Sequence, residues 1–574
     1  MLFKKPKKTP AFQPAVLLLV IAFAIAAGSC GDDPVTTTVN RPPADQTPAD
    51  ETPQTPAEAA ETDEPAETDE PAKNYVSGDD ALSWGISANA NVLTLGLTPG
   101  NNTTEINLNW YSTGAQAGKV AQVRFIRGTL TAGTELITKT GTVDAASTGN
   151  TWHKVTVTGI KPGSSYQYAV SSDGTDWTQA YDFKVPAASG AFKFAVIADP
   201  QLHATSWDAF NRYTPTGGAN TTAGWLETMQ KIVAAGVSFI ASGGDQVDTT
   251  TNGVEAEYTS FFAPQGLRSL PFAPVAGNHD KHLLYNYHYN WPNPQNFIGE
   301  DATENGRNYF YLYNNILFVV LNTAPYPTTN GSTSGDPVIA AAKTYINRFK
   351  DTIKAAKTAN AGKYDWLIVQ HHKSTASVAV HLADRDIQAY VEAGFETLMS
   401  EEGVDFVLAG HDHVYARSYP LKGMDDGKVS VPDKTKGGNT ISNPGNPIYL
   451  TFTTGSGLKY YAVAADTQFN YANANPTLYV KDNIVYPYLG ETTDNGVTST
   501  FKGSDDWVAG HLPVSNAAWV QPYIPSYTIV EVNGKTIKFS TYPIATKTGR
   551  DTGAAEDYSY NENTPYDWVQ VTKN

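Results

Sequence analysis

The sequence predicts an α/β domain preceded by an all-β sandwich, and two observations carry that prediction. Five short apolar runs each end in a glycine-rich or polar turn: Phe192 to Ala198 before Asp199, Val237 to Ala241 before Gly243-Gly244-Asp245, Phe272 to Ala276 before Gly277-Asn278-His279-Asp280, Trp366 to Val369 before Gln370-His371-His372, and Val404 to Ala409 before Gly410-His411-Asp412-His413. Runs that are apolar on both faces are what a parallel sheet covered by helices requires. Ahead of them, from about Ala81 to Val185, short alternating strands are split by Gly, Asn and Pro turns, as in Glu105 to Tyr111, Gln122 to Ile126 and Lys154 to Thr158. That spacing predicts an antiparallel sandwich.

The chain opens with Lys4, Lys5, Lys7 and Lys8 before the apolar run Ala15 to Ala27. The run falls short of the roughly 20 residues that span a bilayer, so residues 1–29 read as an export signal. It closes on Ala27-Gly28-Ser29-Cys30, and the single cysteine can form no internal disulfide. A buried unpaired thiol is the ordinary reading of a lone cysteine. Here small residues precede it in a pattern that resembles a bacterial lipobox, with Ala27 where Leu is commoner, so Cys30 is the expected lipid attachment point and the cell envelope the expected location. Residues 30–78 read as a tether rich in Pro, Thr and acid, in which Thr62-Asp63-Glu64-Pro65-Ala66 recurs as Thr68-Asp69-Glu70-Pro71-Ala72. Between Gly31 and Asn74, twelve acidic residues face only Arg41 and Lys73, which accounts for ten of the seventeen net negative charges. Such a segment cannot bury a core. Little of the net charge then belongs to the folded part, and no basic nucleic-acid surface is present in the sequence.

The sandwich is assigned to 79–188, an α/β domain to 190–545 and a C-terminal extension to 546–574. Within the α/β domain, Arg307 to Asn322 reads as a hairpin turning at Asn314-Asn315, and Glu392 to Ser400 has helical spacing. Ile448 to Thr453, Tyr527 to Val532 and Lys535 to Tyr542 read as strands, the last two joined at Asn533-Gly534. They suit a second sheet packed on the first. The stretches 423–446 and 468–522 match no motif and read as surface loops over the site.

Five strands that finish in Asp, Asp, Asn, His and His-x-His gather those groups along one sheet edge, where open α/β sheets bind ligands. An isolated Asn-His turn would be a structural feature; the convergence is not. Carboxylate, amide and imidazole without thiols is a ligand set for two hard or borderline cations rather than a structural zinc. The order and spacing resemble the calcineurin-like metallophosphoesterases, above all the purple acid phosphatases. That resemblance implies a four-layer αββα sandwich and two metal ions, iron, zinc or manganese. It implies that Asp245 bridges them, that Asp199 and His413 hold the first, and that Asn278, His372 and His411 hold the second. His372 is chosen over His371 because the family's ligand lies six residues after a strand-opening Trp, here Trp366. The turn Ile160-Lys161-Pro162-Gly163 followed by Tyr166-Gln167-Tyr168 similarly resembles a fibronectin type III tyrosine corner, a domain that purple acid phosphatases commonly carry. Two positions depart from the pattern. Asp248 stands where the purple enzymes have the tyrosine that gives their colour, so no such chromophore is expected; Gln201, with His203 beyond it, stands where other relatives have a histidine. Gln201, Asp248 or His203 is left to complete the first site.

The chemistry implied is attack on phosphorus by hydroxide formed between the cations. His279, held through its other ring nitrogen by Asp280, is the expected acid for the leaving alkoxide. His381 is a weaker candidate for the substrate shell, a solvent-facing histidine being its plain alternative. Arg417 and Lys373 lie near ligands in sequence and could contact phosphate oxygens, although surface charge is the blander reading of each. The expectation is an exported, membrane-anchored phosphoesterase, first a phosphomonoesterase of the acid phosphatase kind. A phosphodiesterase of the same fold is the near alternative, and a catalytically inactive surface binding module the alternative of another class. Substrate identity and oligomeric state are not legible.

Overall fold

A computed structural model describes residues 87–574 except 116, 130–135, 147, 205–220, 250–253, 281, 296–306, 326, 328–335, 424–429, 458, 462–490, 495, 496, 501–514 and 551–556. The export signal, Cys30 and the tether lie outside the described residues, as does most of the 468–522 stretch.

The N-terminal sandwich is built from two four-stranded sheets. One runs Leu93–Pro99, Glu105–Ser112, Thr151–Thr158, Thr142–Ala145; the other Leu136–Thr140, Gln122–Arg127, Ser165–Ser171, Tyr181–Lys184. Alternate residues of these strands turn inward, so Leu97, Leu108, Trp110, Val123, Phe125, Val155 and Tyr168 fill the space between the sheets. The Tyr166 hydroxyl accepts the Lys161 backbone N–H at 2.6 Å, which pins the turn at Pro162-Gly163 to the strand that follows.

The rest of the chain forms four layers. A seven-stranded sheet runs Phe272–Ala273, Ile240–Ser242, Phe192–Ile197, Ser526–Asn533, Thr536–Pro543, Asp567–Thr572, Thr440–Ser442. An eight-stranded sheet runs Tyr309–Tyr313, Ile316–Val320, Trp366–Lys373, Phe406–Gly410, Ile448–Thr451, Tyr415–Lys422, Val431–Pro432, with Asn516–Val520 also paired to Tyr415–Lys422. Their inner faces meet through Phe194, Phe239, Phe318, Ile368, Phe406 and Phe539, with Phe406 and Phe539 ring centroids 4.7 Å apart. The helix Thr221–Ala234 covers the outer face of the first sheet and Asp336–Ala359 that of the second, giving the αββα order. The core strands of each sheet are parallel where the polar turns emerge: Ile240–Ser242 lies parallel to Phe192–Ile197 and to Phe272–Ala273, and Trp366–Lys373 to Phe406–Gly410. All five turns therefore leave the same side of the sandwich.

Four details differ from the sequence reading. The helical stretch at 392–400 is two helices, Arg385–Glu392 and Phe395–Glu401, because Gly394 adopts φ 96° and breaks the run. The strand at Trp366 does not stop at Val369 but continues through both histidines to Lys373. The segment assigned as an extension supplies Asp567–Thr572, an interior strand of the seven-stranded sheet. Parts of the two stretches read as loops are strands too: Val431–Pro432, Thr440–Ser442 and Asn516–Val520.

That C-terminal strand ties the sheets together. Arg417 of the eight-stranded sheet, 2% exposed, donates from Nε to Asp567 Oδ2 at 2.7 Å and from Nη2 to Oδ1 at 3.2 Å, and the Tyr415 hydroxyl donates to the same carboxylate at 2.7 Å. Arg417 is thus a buried cross-link and not a phosphate contact. Arg417→Ala, which strands the Asp567 carboxylate, is expected to lower stability by about 3–5 kcal/mol, read as a shift in the guanidinium unfolding midpoint, while Arg417→Met combined with Asp567→Leu recovers most of that loss.

Candidate metal centre

The side chains at the strand ends are aimed by unusual backbone. Asp199, Asp245, His411 and His413 have φ of 47°, 51°, 73° and 46°, a left-handed conformation that is uncommon outside glycine. Such strain persists only where the surroundings hold it, and it clusters at functional sites. The fit around these residues is close. A Cβ at Gly277 would stand 2.0 Å from Asp245 Oδ1, and one at Gly244 2.4 Å from His372 Nδ1, so both positions require glycine.

Strand alternation separates the two adjacent histidines. His371 turns outward, where its ring lies 4.8 Å from Phe395 and neither ring nitrogen has a hydrogen-bond partner among the described residues. Burial pulls its pKa down to about 3. His372 turns inward. Its Nδ1 donates to Gly243 O at 2.8 Å, which leaves the Nε2 lone pair pointing into the site. Nε2 lies 2.9 Å from Asn278 Oδ1, 3.1 Å from His411 Nδ1 and 3.3 Å from Asp245 Oδ2. A second group is smaller: His413 Nδ1 donates to Lys459 O at 2.6 Å, and its Nε2 lies 3.3 Å from Asp199 Oδ1. His372 Nδ1, 3.9 Å from Asp199 Oδ1, joins the two.

Most of these atoms are hydrogen-bond acceptors, and they are buried. Acceptors that face one another without a donor or cation between them repel, and burial removes the water that would relieve them. Donor atoms bound to one cation at about 2.0–2.2 Å sit roughly 3–3.5 Å apart, the separation seen in both groups. The atoms of Asp245, His372 and His411, with Asn278 Oδ1 beside them, therefore fit a cation, whereas Asp199 and His413 supply a pair of such atoms. In the metal-free chain a proton takes that place: burial works against a charged His372, but Asp245 and Asp199 hold its pKa up at about 9. Asp245 is buried as well, yet His372 and His279 keep it ionised far below the usual carboxylate range. Burial and the neighbouring His381 and His372 keep His411 neutral.

His279 sits beside this centre with its ring oriented by Asp248. Its backbone N–H donates to Asp245 Oδ1 at 2.8 Å, Nδ1 donates to the Asp248 carbonyl, and Nε2 faces Asp245 Oδ2 at 3.9 Å. Asp280 does not hold the ring, contrary to the sequence reading. Its Oδ2 accepts from the backbone N–H of Gly277 at 3.0 Å and of Gln246 at 3.3 Å, so it braces the turn, and burial with Asp245 nearby pushes its pKa up to about 7. Arg307 grips the same segment through Asp280 O and His282 O, and it also binds Asn286 Oδ1.

The remaining candidates divide. Gln201 is in the centre, donating to Asp245 Oδ2 at 2.9 Å, with its Oε1 buried and unpartnered among the described residues. His203 turns away to Ser260 Oγ at 2.7 Å. His381 lies at the rim, its ring 4.4 Å from that of His411 and its Nδ1 2.7 Å from Asp384 Oδ2. Asp384, Asp412 and Asp386 raise its pKa against the effect of burial. Lys373 is buried in an ion pair with Asp386 and donates to Ala324 O at 3.1 Å, so it is not a phosphate contact. Among the described residues a cation that the sequence reading missed does reach the site: Lys459 Nζ lies 3.4 Å from His279 Nε2 and 3.6 Å from Asp248 Oδ1. The signal was present. Ile448–Thr451 is a further parallel strand, and it too ends in a polar glycine turn, Thr453-Thr454-Gly455-Ser456-Gly457.

With this geometry in place, comparison with known proteins is informative. Residues 192–415 match the family described as calcineurin-like phosphoesterase, and residues 93–185 the one described as purple acid phosphatase, N-terminal domain. Two uncharacterized proteins of Mycobacterium tuberculosis, MT2654 and Rv2577, are each 24% identical over 364 residues, covering 58% of this chain; the chain spans 64% of their length. The purple acid phosphatase PPD1 from yellow lupin seeds shares the fold with a TM-score of 0.53 at 13% identity, over 84% of this chain and 75% of that one. This chain thus carries a calcineurin-like phosphoesterase domain behind a purple acid phosphatase N-terminal domain.

The adjacent histidines give a sharp test. His372→Ala is expected to lower bound metal in the purified protein by at least one ion per chain relative to wild type, whereas His371→Leu leaves metal content unchanged. Elemental analysis decides it, and equal losses in both would remove His372 from the centre.

Proposed function

We propose that the phosphoesterase domain is a dinuclear metal-dependent hydrolase, a phosphomonoesterase exported and held at the cell envelope through a lipid on Cys30. The observation that carries the proposal is the crowding of acceptors around His372 Nε2, where Asn278 Oδ1, His411 Nδ1 and Asp245 Oδ2 all lie within 3.3 Å. Asp199 and His413 would hold one cation, Asn278, His372 and His411 the other, and Asp245 would serve both. Two cations of the iron, zinc or manganese class supply Lewis acidity and a nucleophile drawn from water near neutral pH.

The chain's own contribution is placement. Asn278 and Asp245 come from turns whose glycines allow close approach, so the donor atoms need not reorganise when substrate arrives. His279 is the acid for the departing alkoxide. Because its Nδ1–H is held by the Asp248 carbonyl, the proton it delivers leaves from Nε2, the nitrogen that faces Asp245 and Lys459. Burial, aided by Lys459, outweighs the opposing pull of Asp245 and Asp248 and holds its pKa below the usual histidine value.

His279→Ala is expected to reduce turnover of an alkyl phosphate by about 10² to 10⁴ with metal content intact. An aryl phosphate, whose leaving group needs less protonation, should lose much less. Equal loss on both substrates would remove the acid role. The envelope assignment is tested separately: Cys30→Ala should move the protein from the membrane pellet to the soluble fraction after cell fractionation, and an unchanged pellet fraction counts against the anchor.

A further inference from the structure

We infer that Lys459 is a phosphate-contacting residue that selects phosphate monoesters over diesters. The inference rests on the phosphoesterase reading and adds a specificity residue to it.

Lys459 is fixed from its backbone outward. Its carbonyl accepts His413 Nδ1–H at 2.6 Å, which sets the main chain beside a candidate metal ligand. The turn that leads to it is stitched onto the loop carrying Asp199: Gly455 N–H donates to Ala198 O at 2.8 Å, Thr454 Oγ1 donates to Asp199 O at 2.8 Å, and Ser456 Oγ donates to Pro200 O. Its side chain is 8% exposed, against 15% for His279 and 28% for Asp248. There it faces His279 Nε2 at 3.4 Å, the nitrogen assigned to the leaving group, and Asp248 Oδ1 at 3.6 Å.

The other two cations considered from the sequence are committed elsewhere, Lys373 to Asp386 and Arg417 to Asp567. Lys459 is thus the one of these three whose ammonium borders the reacting region. The Asp248 contact, at 3.6 Å, is longer than a direct hydrogen bond. A phosphate monoester carries three unesterified oxygens and up to two charges, whereas a diester carries two such oxygens and one charge. A lysine contact beyond the oxygens used at the cations is therefore worth most for the monoester, and charge-assisted contacts of this kind are the strong ones.

The test uses metal-loaded protein and three variants, Lys459→Gln, Lys459→Arg and the double variant Lys459→Gln/Asp248→Asn. Two readouts are taken: kcat/KM for an aryl phosphate monoester and a bis-aryl diester, and binding of inorganic phosphate by calorimetry. Lys459→Gln is expected to lower monoester kcat/KM and phosphate affinity by about tenfold or more, to change diester kcat/KM less than about threefold, and to leave metal content unchanged. Lys459→Arg should recover most of the loss, and the double variant should not. Equal loss on both esters, unchanged phosphate affinity, or recovery in the double variant, which would make Lys459 only the counter-charge of Asp248, overturns the inference. Wild-type protein that binds metal and hydrolyses neither ester overturns the phosphoesterase reading instead, and the phosphate titration then still decides the lysine.

Discussion

Everything in the α/β domain is arranged around a local repulsion. Imidazole lone pairs, carboxylate oxygens and an amide oxygen are brought within 2.9 to 3.3 Å of one another in a region that water does not reach. No folded chain gains stability from that alone. It is tolerated because each group is fixed from behind: His372 by Gly243 O, His413 by Lys459 O, and Asp199 by the His411 N–H at 2.9 Å. Left-handed backbone at Asp199, Asp245, His411 and His413 adds roughly 1–3 kcal/mol of strain at each. Two apolar sheets packed face to face are the rigid frame that offsets it.

The frame explains why the chain's two ends of sequence matter to the centre. Ser526–Asn533 pairs with the Phe192–Ile197 strand, Thr536–Pro543 pairs with Ser526–Asn533, and Asp567–Thr572 continues that sheet. Asp567 then reaches across to Arg417 and Tyr415 on the strand that follows His411 and His413. At the other end, Lys154 of the N-terminal sandwich donates to Asn286 O at 2.6 Å, and Tyr111 stacks on His288 at 4.2 Å. The segment beyond His279 is thus clamped between Arg307 and the sandwich. The N-terminal sheets contribute no candidate ligand, but they limit how far the turn carrying Asn278 and His279 can move.

Much of this was legible in the sequence because it is local. An apolar run followed by glycine and a polar side chain announces a strand end, and five repetitions place five groups on one edge. His372 is preferred to His371 on the resemblance to a family whose ligand lies six residues after a strand-opening Trp, and strand alternation turns it inward. What could not be read depends on partners far apart in the chain. Arg417 and Asp567 are 150 residues apart, and Lys373 looks available until Asp386 of the covering helix is placed beside it. Asp280 was read as a partner of its neighbour His279, yet a side chain in a tight turn satisfies backbone N–H groups first, those of Gly277 and Gln246. Lys459 lay in a turn of the same grammar as the others, on a strand that was recognised; it was passed over because its polar group arrives several residues later than in the other five.

The two departures from the family pattern sit on different sides of the site. A tyrosine in place of Asp248 would offer its oxygen to the first cation. Asp248 instead gives its carbonyl to His279 Nδ1 and its carboxylate, at 3.6 Å, to Lys459, so it faces the outer part of the site. Gln201, in place of a histidine, keeps one hydrogen bond to Asp245 and retains a buried oxygen with no partner among the described residues, a neutral donor beside Asp199 in sequence. Asp248 therefore adds no side-chain oxygen to the inner group and faces the ammonium of Lys459 instead. A carboxylate at 248 without a lysine at 459 would place an uncompensated negative charge beside His279. The Asp248 carboxylate and the Lys459 ammonium, 3.6 Å apart, thus set the charge beside His279 together.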